Sequence, residues 1–322
     1  MGRQLRQAIG ILGVGATLWS CLAFGQAYPS KPVHVIVPAG AGGGDDFAAR
    51  LVAIKMSELL GQQFVIENRP GAGGMIGQTL VAKAAPDGYT ILLAGGSMAG
   101  AKFANASIAY DLQRDFTPIS QIEASPFALI VAKTVPANNV RELVNLAKSK
   151  PGRMTFATLG AGQIPYWSAM LFNSSAGIDV VEVPYKGAAE AALDVVTGRV
   201  DYHFTPVVVA QTHKDKVRVL AVTSATRSDI FPEVPTVAEA GLPGYEMPSW
   251  RSFMGPAGLP RDVVNTLNGT MVKALASPDV REKFSKAGSV AVSSTPEELR
   301  KRFETWTAIF GKIAKDAGLK PM

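Results

Sequence analysis

Three kinds of chemistry can be sought in the side chains: a nucleophile with its base, a metal cage, and a backbone anion site. Ser97, in LLAGGSMAG, stands where an apolar strand runs into a helix, close to the nucleophile elbow G-x-S-x-G. Ala99 occupies the place of the second glycine, and a triad also needs a histidine. His34 lies mid-strand, His213 sits in the polar turn THKDK, and His203 alternates with Phe204 at a strand end. A serine hydrolase is therefore the weaker reading, and Ser97 is expected to line a ligand cleft as a hydroxyl donor. Three scattered histidines give no metal-ligand spacing, and neither G-x-G-x-x-G nor the P-loop pattern occurs. No metal and no cofactor is expected.

The backbone offers more. In VHVIVPAGAGGGDDFAARL (33–51) an apolar strand ends in a glycine-rich turn that opens a helix. The first amides of a helix lack internal partners and the dipole there is positive, so such a turn suits an anion. Glycine lets a ligand approach the main chain. The plainer reading is a tight turn with Asp45 or Asp46 as N-cap. A second glycine-rich helix start lies at ATLGAGQIPYW (157–167), and a third follows VPYKGAAEAA (183–192). Ligands of open α/β sheets bind beyond the carboxyl ends of the strands, so two lobes facing each other there would grip a small carboxylate from both sides.

The elements that hold these turns alternate. Strands are expected at 33–37, 63–67 and 89–94, with helices between, the first carrying Leu51, Ile54 and Leu59 and the second Ile76, Leu80 and Val81. A second β-α-β unit, also expected to be parallel, runs from FALIVA (127–132) through strands at 154–158, 179–185 and 200–204, with one more strand at 217–224. Residues 225–248 read as an irregular connection. The C-terminal part is helical, with Ser277 and Pro278 at one helix start and a capping box at Thr295 and Glu298. Its stripe Leu299, Phe303, Trp306 and Phe310 reads as core-facing.

Composition sets the frame. Hydrophobic residues at 47% and charged residues at 18% make a globular mixture, and 322 residues suggest two domains. The net charge of +6 is scattered, without a basic stripe or aromatic platform, so no nucleic-acid partner is expected. Residues 1–27, with Arg3, Arg6, the apolar core AIGILGVGATLW and the small Gly25 and Ala27, read as a signal peptide cut before Tyr28. An anchor helix and lipidation at Cys21 are the lesser alternatives. Cys21 is the sole cysteine, so the mature chain would hold no disulfide. A periplasmic location follows.

Several stretches carry a resemblance: YPSKPVHVIVPAGAGGGDDFAARL, GQQFVIENRPGAGGMIG, DVVEVPYKG, LAVTSATRS and PEVPTVAEAGLPGYE. Together they resemble the Bug family, extracytoplasmic solute receptors related to the TctC proteins, over essentially the whole mature chain. The resemblance implies an α/β, two-lobe periplasmic-binding-protein fold of type II, with lobe one at 28–126 plus 252–322 and lobe two at 127–251. It implies a non-enzymatic, monomeric receptor that closes around a small carboxylated solute, held largely by backbone amides and waters. Its partner would be a tripartite tricarboxylate transporter in the inner membrane; a signalling partner is the alternative. Carried over by position, Ala39, Gly40, Ala41, Gly42 and Asp46 would form the lobe-one wall. Thr158, Gly160, Gly162 and Gln163 would present a helix start from lobe two, joined by Tyr185, Lys186 and Gly187 and by the loop at Phe204 and Thr205.

Departures from the family pattern mark further positions. Asp45 stands where a small hydroxyl residue is usual; it either caps the helix and points outward, the favoured reading, or greets a ligand hydroxyl or amine. Tyr166 stands near a usual histidine, and Thr205 near a usual acid. Arg251 replaces an uncharged residue; it is a solvated surface arginine, the favoured reading, or a bidentate partner for a second ligand carboxylate. Tyr166, Trp167, Phe204 and Trp250 suggest an aromatic carboxylate, although Trp167 and Phe204 read better as core.

Overall fold

The computed structural model describes residues 28–160 and 163–319; the expected leader and Gly162 lie outside the described residues. The chain opens with β1 (Val33–Val37), α1 (Gly44–Leu60), β2 (Phe64–Asn68), α2 (Met75–Ala82), β3 (Thr90–Gly95) and a short α3 (Ala101–Ala104). Next, β4 (Phe116–Ser125) runs almost directly into β5 (Phe127–Ala132). Then come α4 (Val140–Ser149), β6 (Thr155–Thr158), α5 (Ile164–Ala176), β7 (Val181–Pro184), α6 (Ala188–Val196), β8 (Tyr202–Pro206), α7 (Val207–Thr212) and β9 (Val217–Val222). The described chain ends with β10 (Ser249–Pro256), α8 (Arg261–Ala276), α9 (Pro278–Lys286), β11 (Val290–Ala291) and α10 (Pro296–Asp316).

Two sheets result, one per lobe. The first has the order β11-β4-β10-β3-β1-β2 and the second β7-β6-β8-β5-β9. β1 pairs parallel with β2 and β3, as crossover helices require. Both faces of this sheet are covered. Val33, Val35, Val37, Ile91 and Leu93 pack under α1 and α8, while Ile36, Leu92 and Ala94 face the other way, into a core that includes α10. That second core continues into lobe two: Trp167 of α5 stacks on Phe310 of α10 at 4.6 Å.

Two expectations need correction. β5 is antiparallel to both β8 and β9, because it enters lobe two straight from β4 without a crossover helix. Ile54 and Leu59 of α1, and Ile76 and Leu80 of α2, are exposed; the buried face of α1 is instead Ala48, Ala49, Leu51, Val52, Ala53 and Met56. Small side chains let α1 lie close on the sheet, so its core stripe carries little apolar contrast.

The hinge consists of β4 running into β5, and of β10 returning. β10 pairs antiparallel with β4 and β3, with register shifts at Arg251/Ser252 and Phe253/Met254. On α10 the Thr295–Glu298 capping box is formed, and Leu299, Phe303, Trp306 and Phe310 are buried. Among the described residues no helix is long and apolar enough to cross a membrane.

Candidate functional site

A cleft of about 460 Å³ lies between the lobes, at the carboxyl ends of their strands. Pro38 and Ala39 follow β1, Gly95 to Ser97 end and follow β3, Leu159 follows β6, and Pro206 ends β8. Phe127 starts β5, and Ser249, Trp250 and Arg251 come from the returning hinge strand.

Four helices open on this space. Gly74 and Gln78 of α2, Asp45 in the first turn of α1, Gln163 to Pro165 of α5, and Ala188 of α6 all line it. Their N-caps are Gly43, Gly74, Gln163 and Gly187, and none supplies a side-chain cap. Of the other helices, α4 and α10 are capped through the side chains of Asn139 and Thr295, while α3, α7, α8 and α9 also lack a side-chain cap. First-turn N–H groups have no partner within their helix, so the four starts direct positive dipole ends at the cleft, although at α2 the 3-10 turn 72–74 that precedes it takes the Met75 N–H on Ala72 O. Pro165 removes one donor from α5, and the Gln163 N–H is taken by Gly160 O at 3.1 Å. Among the described residues no loop or cap acceptor takes the Ile164 and Tyr166 amides at that start.

The GAGG stretch 71–74 was not singled out among the expected contacts, yet Gly71, Gly73 and Gly74 line the cleft. Its signal was present, since it repeats the composition of the first glycine loop. Gly74 has φ 94°, and a Cβ there would lie 3.2 Å from Pro38 O, so only glycine lets the two loops approach. Gly96 is similarly constrained: a Cβ would meet Trp250 Nε1 at 2.7 Å.

The first loop is braced from within. Asp46 Oδ2 accepts from Gly42 N–H and from Arg50 Nε, each at 2.9 Å, and Oδ1 accepts from Asn68 Nδ2 at 3.0 Å. The Arg50 hydrogen bond, above all, holds this buried carboxyl down at about 2, against the opposing effect of burial. Asp46 therefore holds the loop, and its oxygens point into lobe one. Of this loop Ala39 lines the cleft, whereas Gly40, Ala41 and Gly42 are exposed outside it.

Asp45 does not cap α1; Gly43 does, and Asp45 lines the cleft. Arg251 is no surface arginine. Its side chain is 19% exposed, its Nε donates to Asp45 Oδ1, and its Nη1 donates to Glu123 Oε1 on the neighbouring hinge strand. Burial alone would lower the Arg251 pKa, but the Glu123 and Asp45 carboxylates outweigh it and hold the guanidinium firmly charged.

Other expected contacts lie within lobe two. Thr158 is fully buried and its Oγ1 donates to Glu182 Oε1. Tyr166 is buried against Trp167, edge to face, and burial pushes its phenol up to about 12. Tyr185 donates to Asp194 Oδ2 at 2.7 Å; burial, then that carboxylate, raise its pKa to about 12. Thr205 is fully buried, and its Oγ1 has no hydrogen-bond partner among the described residues. Lys186 is exposed, and Gly160 is half-buried beside the cleft. Ser97 and Gln163 line the cleft, and Gly187 caps α6 at its edge. Of the four aromatics, Trp250 alone stands in the cleft wall, but its side chain is fully buried against Phe303 and Trp306, and Trp167 and Phe204 are core as well.

No histidine lines the cleft. His34 pairs with Glu67 on the neighbouring strand. His203 is buried, its Nδ1 lies 2.9 Å from Ala157 O, and burial pushes its pKa down to about 4. Among the described residues no group of acids, histidines or cysteines could hold a metal.

A family profile described as "Tripartite tricarboxylate transporter family receptor", TctC, matches residues 48–319. The protein BugT of Bordetella pertussis is 33% identical over 299 residues, covering 92% of each chain. A solved R. palustris protein with adipate is 34% identical, with a TM-score of 0.77 over 92% of this chain and 100% of that one. MatC from Rhodopseudomonas palustris, with bound malate, is 32% identical, with a TM-score of 0.73 over 89% and 100%. The fold is thus the type II, two-lobe periplasmic-binding-protein arrangement, and the chain belongs to the TctC-like Bug family of solute-binding receptors.

Proposed function

We propose that the chain captures a small carboxylated solute in the interlobe cleft and hands it to a tripartite transporter in the inner membrane. One observation carries the reading: four helix starts without side-chain caps converge on a single cleft between the lobes. The relatives solved with adipate and malate support the ligand class. In this reading Ala39, Ser97, Gln163 and Ala188 meet the solute, with the free amides of α2, α5 and α6. Lobe one comprises 28–126 plus 252–322, lobe two 127–251, and the hinge strands between them flex to close the cleft. The receptor works as a monomer in the periplasm, after removal of residues 1–27.

A thermal-shift screen of mono- and dicarboxylates, aromatic ones included, tests this. A true ligand at about 100 times its Kd stabilises by about 2.7 kcal/mol, which for a chain of this size moves the melting point by about 5 °C. If no carboxylate in the screen shifts the melting point, the reading fails.

A further inference from the structure

Asp45 and Arg251 are the charged side chains that line the cleft, and they are not free of each other. Arg251 is clamped by Glu123, whose side chain is 2% exposed and out of reach of any ligand. Asp45, with a side chain 40% exposed, gives one oxygen to Arg251 Nε. Among the described residues nothing donates to its other oxygen, Oδ2. The three formal charges sum to minus one, so this corner of the cleft is acidic although an arginine stands in it. The helix starts repeat the asymmetry. α1 carries Asp45 and Asp46 in its first turn, which offset its dipole, whereas α2 and α5 carry no acid there. The cleft therefore has an anion-accepting side at α2 and α5 and an acceptor side at Asp45.

We propose that Asp45 selects solutes with a hydrogen-bond donor, an ammonium or a hydroxyl, at the end opposite their carboxylate, and disfavours dicarboxylates. This rests on the carboxylate-binding reading above and narrows it. A second carboxylate at this corner would either stand beside Asp45, like charge against like charge, or displace it from Arg251 and break a charge-assisted hydrogen bond. A donor does neither. It completes Asp45 Oδ2, and an ammonium also neutralises the corner.

The test is calorimetric, on the whole mature chain, with two sets matched in length. One set is adipate, ε-aminohexanoate and ω-hydroxyhexanoate; the other is succinate, γ-aminobutyrate and γ-hydroxybutyrate. In at least one set the amino or hydroxy acid should bind about tenfold tighter than the dicarboxylate, the size of one charge-assisted contact. In Asp45→Asn, and in Asp45→Ser as a second variant that leaves the Arg251–Glu123 pair neutral, that preference should vanish or reverse. A dicarboxylate that binds as tightly as its donor-bearing partner in both sets overturns the proposal, as does a preference unchanged in variants whose melting points match the parent. Failure of the parent reading looks different, because then no carboxylate of either set or of the wider screen binds.

Discussion

Asp45 and Asp46 are adjacent acids with separate tasks. One step along a helix turns a side chain by about 100°, so one carboxylate faces the cleft and the other reaches back to brace the loop. The sequence shows two acids at a helix start; it does not show which way each points. That depends on Arg50, Asn68 and Arg251, which lie from four to 206 residues away in the chain. Asp46 gives a prediction with a definite sign. Its folded pKa, about 2, lies below its ordinary value of 3.8, so its contribution is present above pH 3.8 and is lost as pH falls through 2. Asp46→Asn should lower stability by about 2 kcal/mol at neutral pH, and the gap should narrow as pH falls from about 4. Urea denaturation at neutral pH and near pH 3 measures both.

At the scale of elements, strongly patterned segments were legible. β1 and β5 stand where their apolar runs place them, and α10 starts at its capping box. The hinge strands β4 and β10 were not. They bury Ser120, Gln121, Glu123 and Ser252 among their apolar residues, so neither alternation nor an apolar run marks them. Contacts distant in sequence help to satisfy these strands: Ser120 Oγ lies 3.1 Å from Ser294 O, Ser294 Oγ accepts from Gln121 N–H, and Ser252 Oγ donates to Ala94 O. The stripe of α10 was legible as core, but its reach into lobe two was not. Phe310 stacks on Trp167, and a Cβ on Gly100 would meet both rings within 2.9 Å. Phe310→Ala should therefore cost about 3–5 kcal/mol in denaturant unfolding, because the joint has no room to collapse without moving one lobe on the other. A cost below about 1 kcal/mol would show that the joint is loose.

For the whole molecule, the glycine loops told where backbone would be exposed, and the alternation of strands and helices told that there would be two sheets. Which amides meet across the cleft depends on the hinge, and hinge geometry leaves no local pattern. Hence the 71–74 loop joins the cleft while Gly40 to Gly42 stay outside it. Solute capture at the facing helix starts can be measured in one calorimetric titration: the tightest carboxylate from the screen, titrated into the parent chain and into Ala188→Phe. Ala188 opens α6, lines the cleft and is only half-buried, so a phenyl ring there adds bulk at the cleft wall. Saturable binding to the parent is expected, with at least about hundredfold weaker binding to the variant, about 2.7 kcal/mol, and an unchanged unliganded melting point. Equal affinity in a fully folded Ala188→Phe would contradict capture at these helix starts.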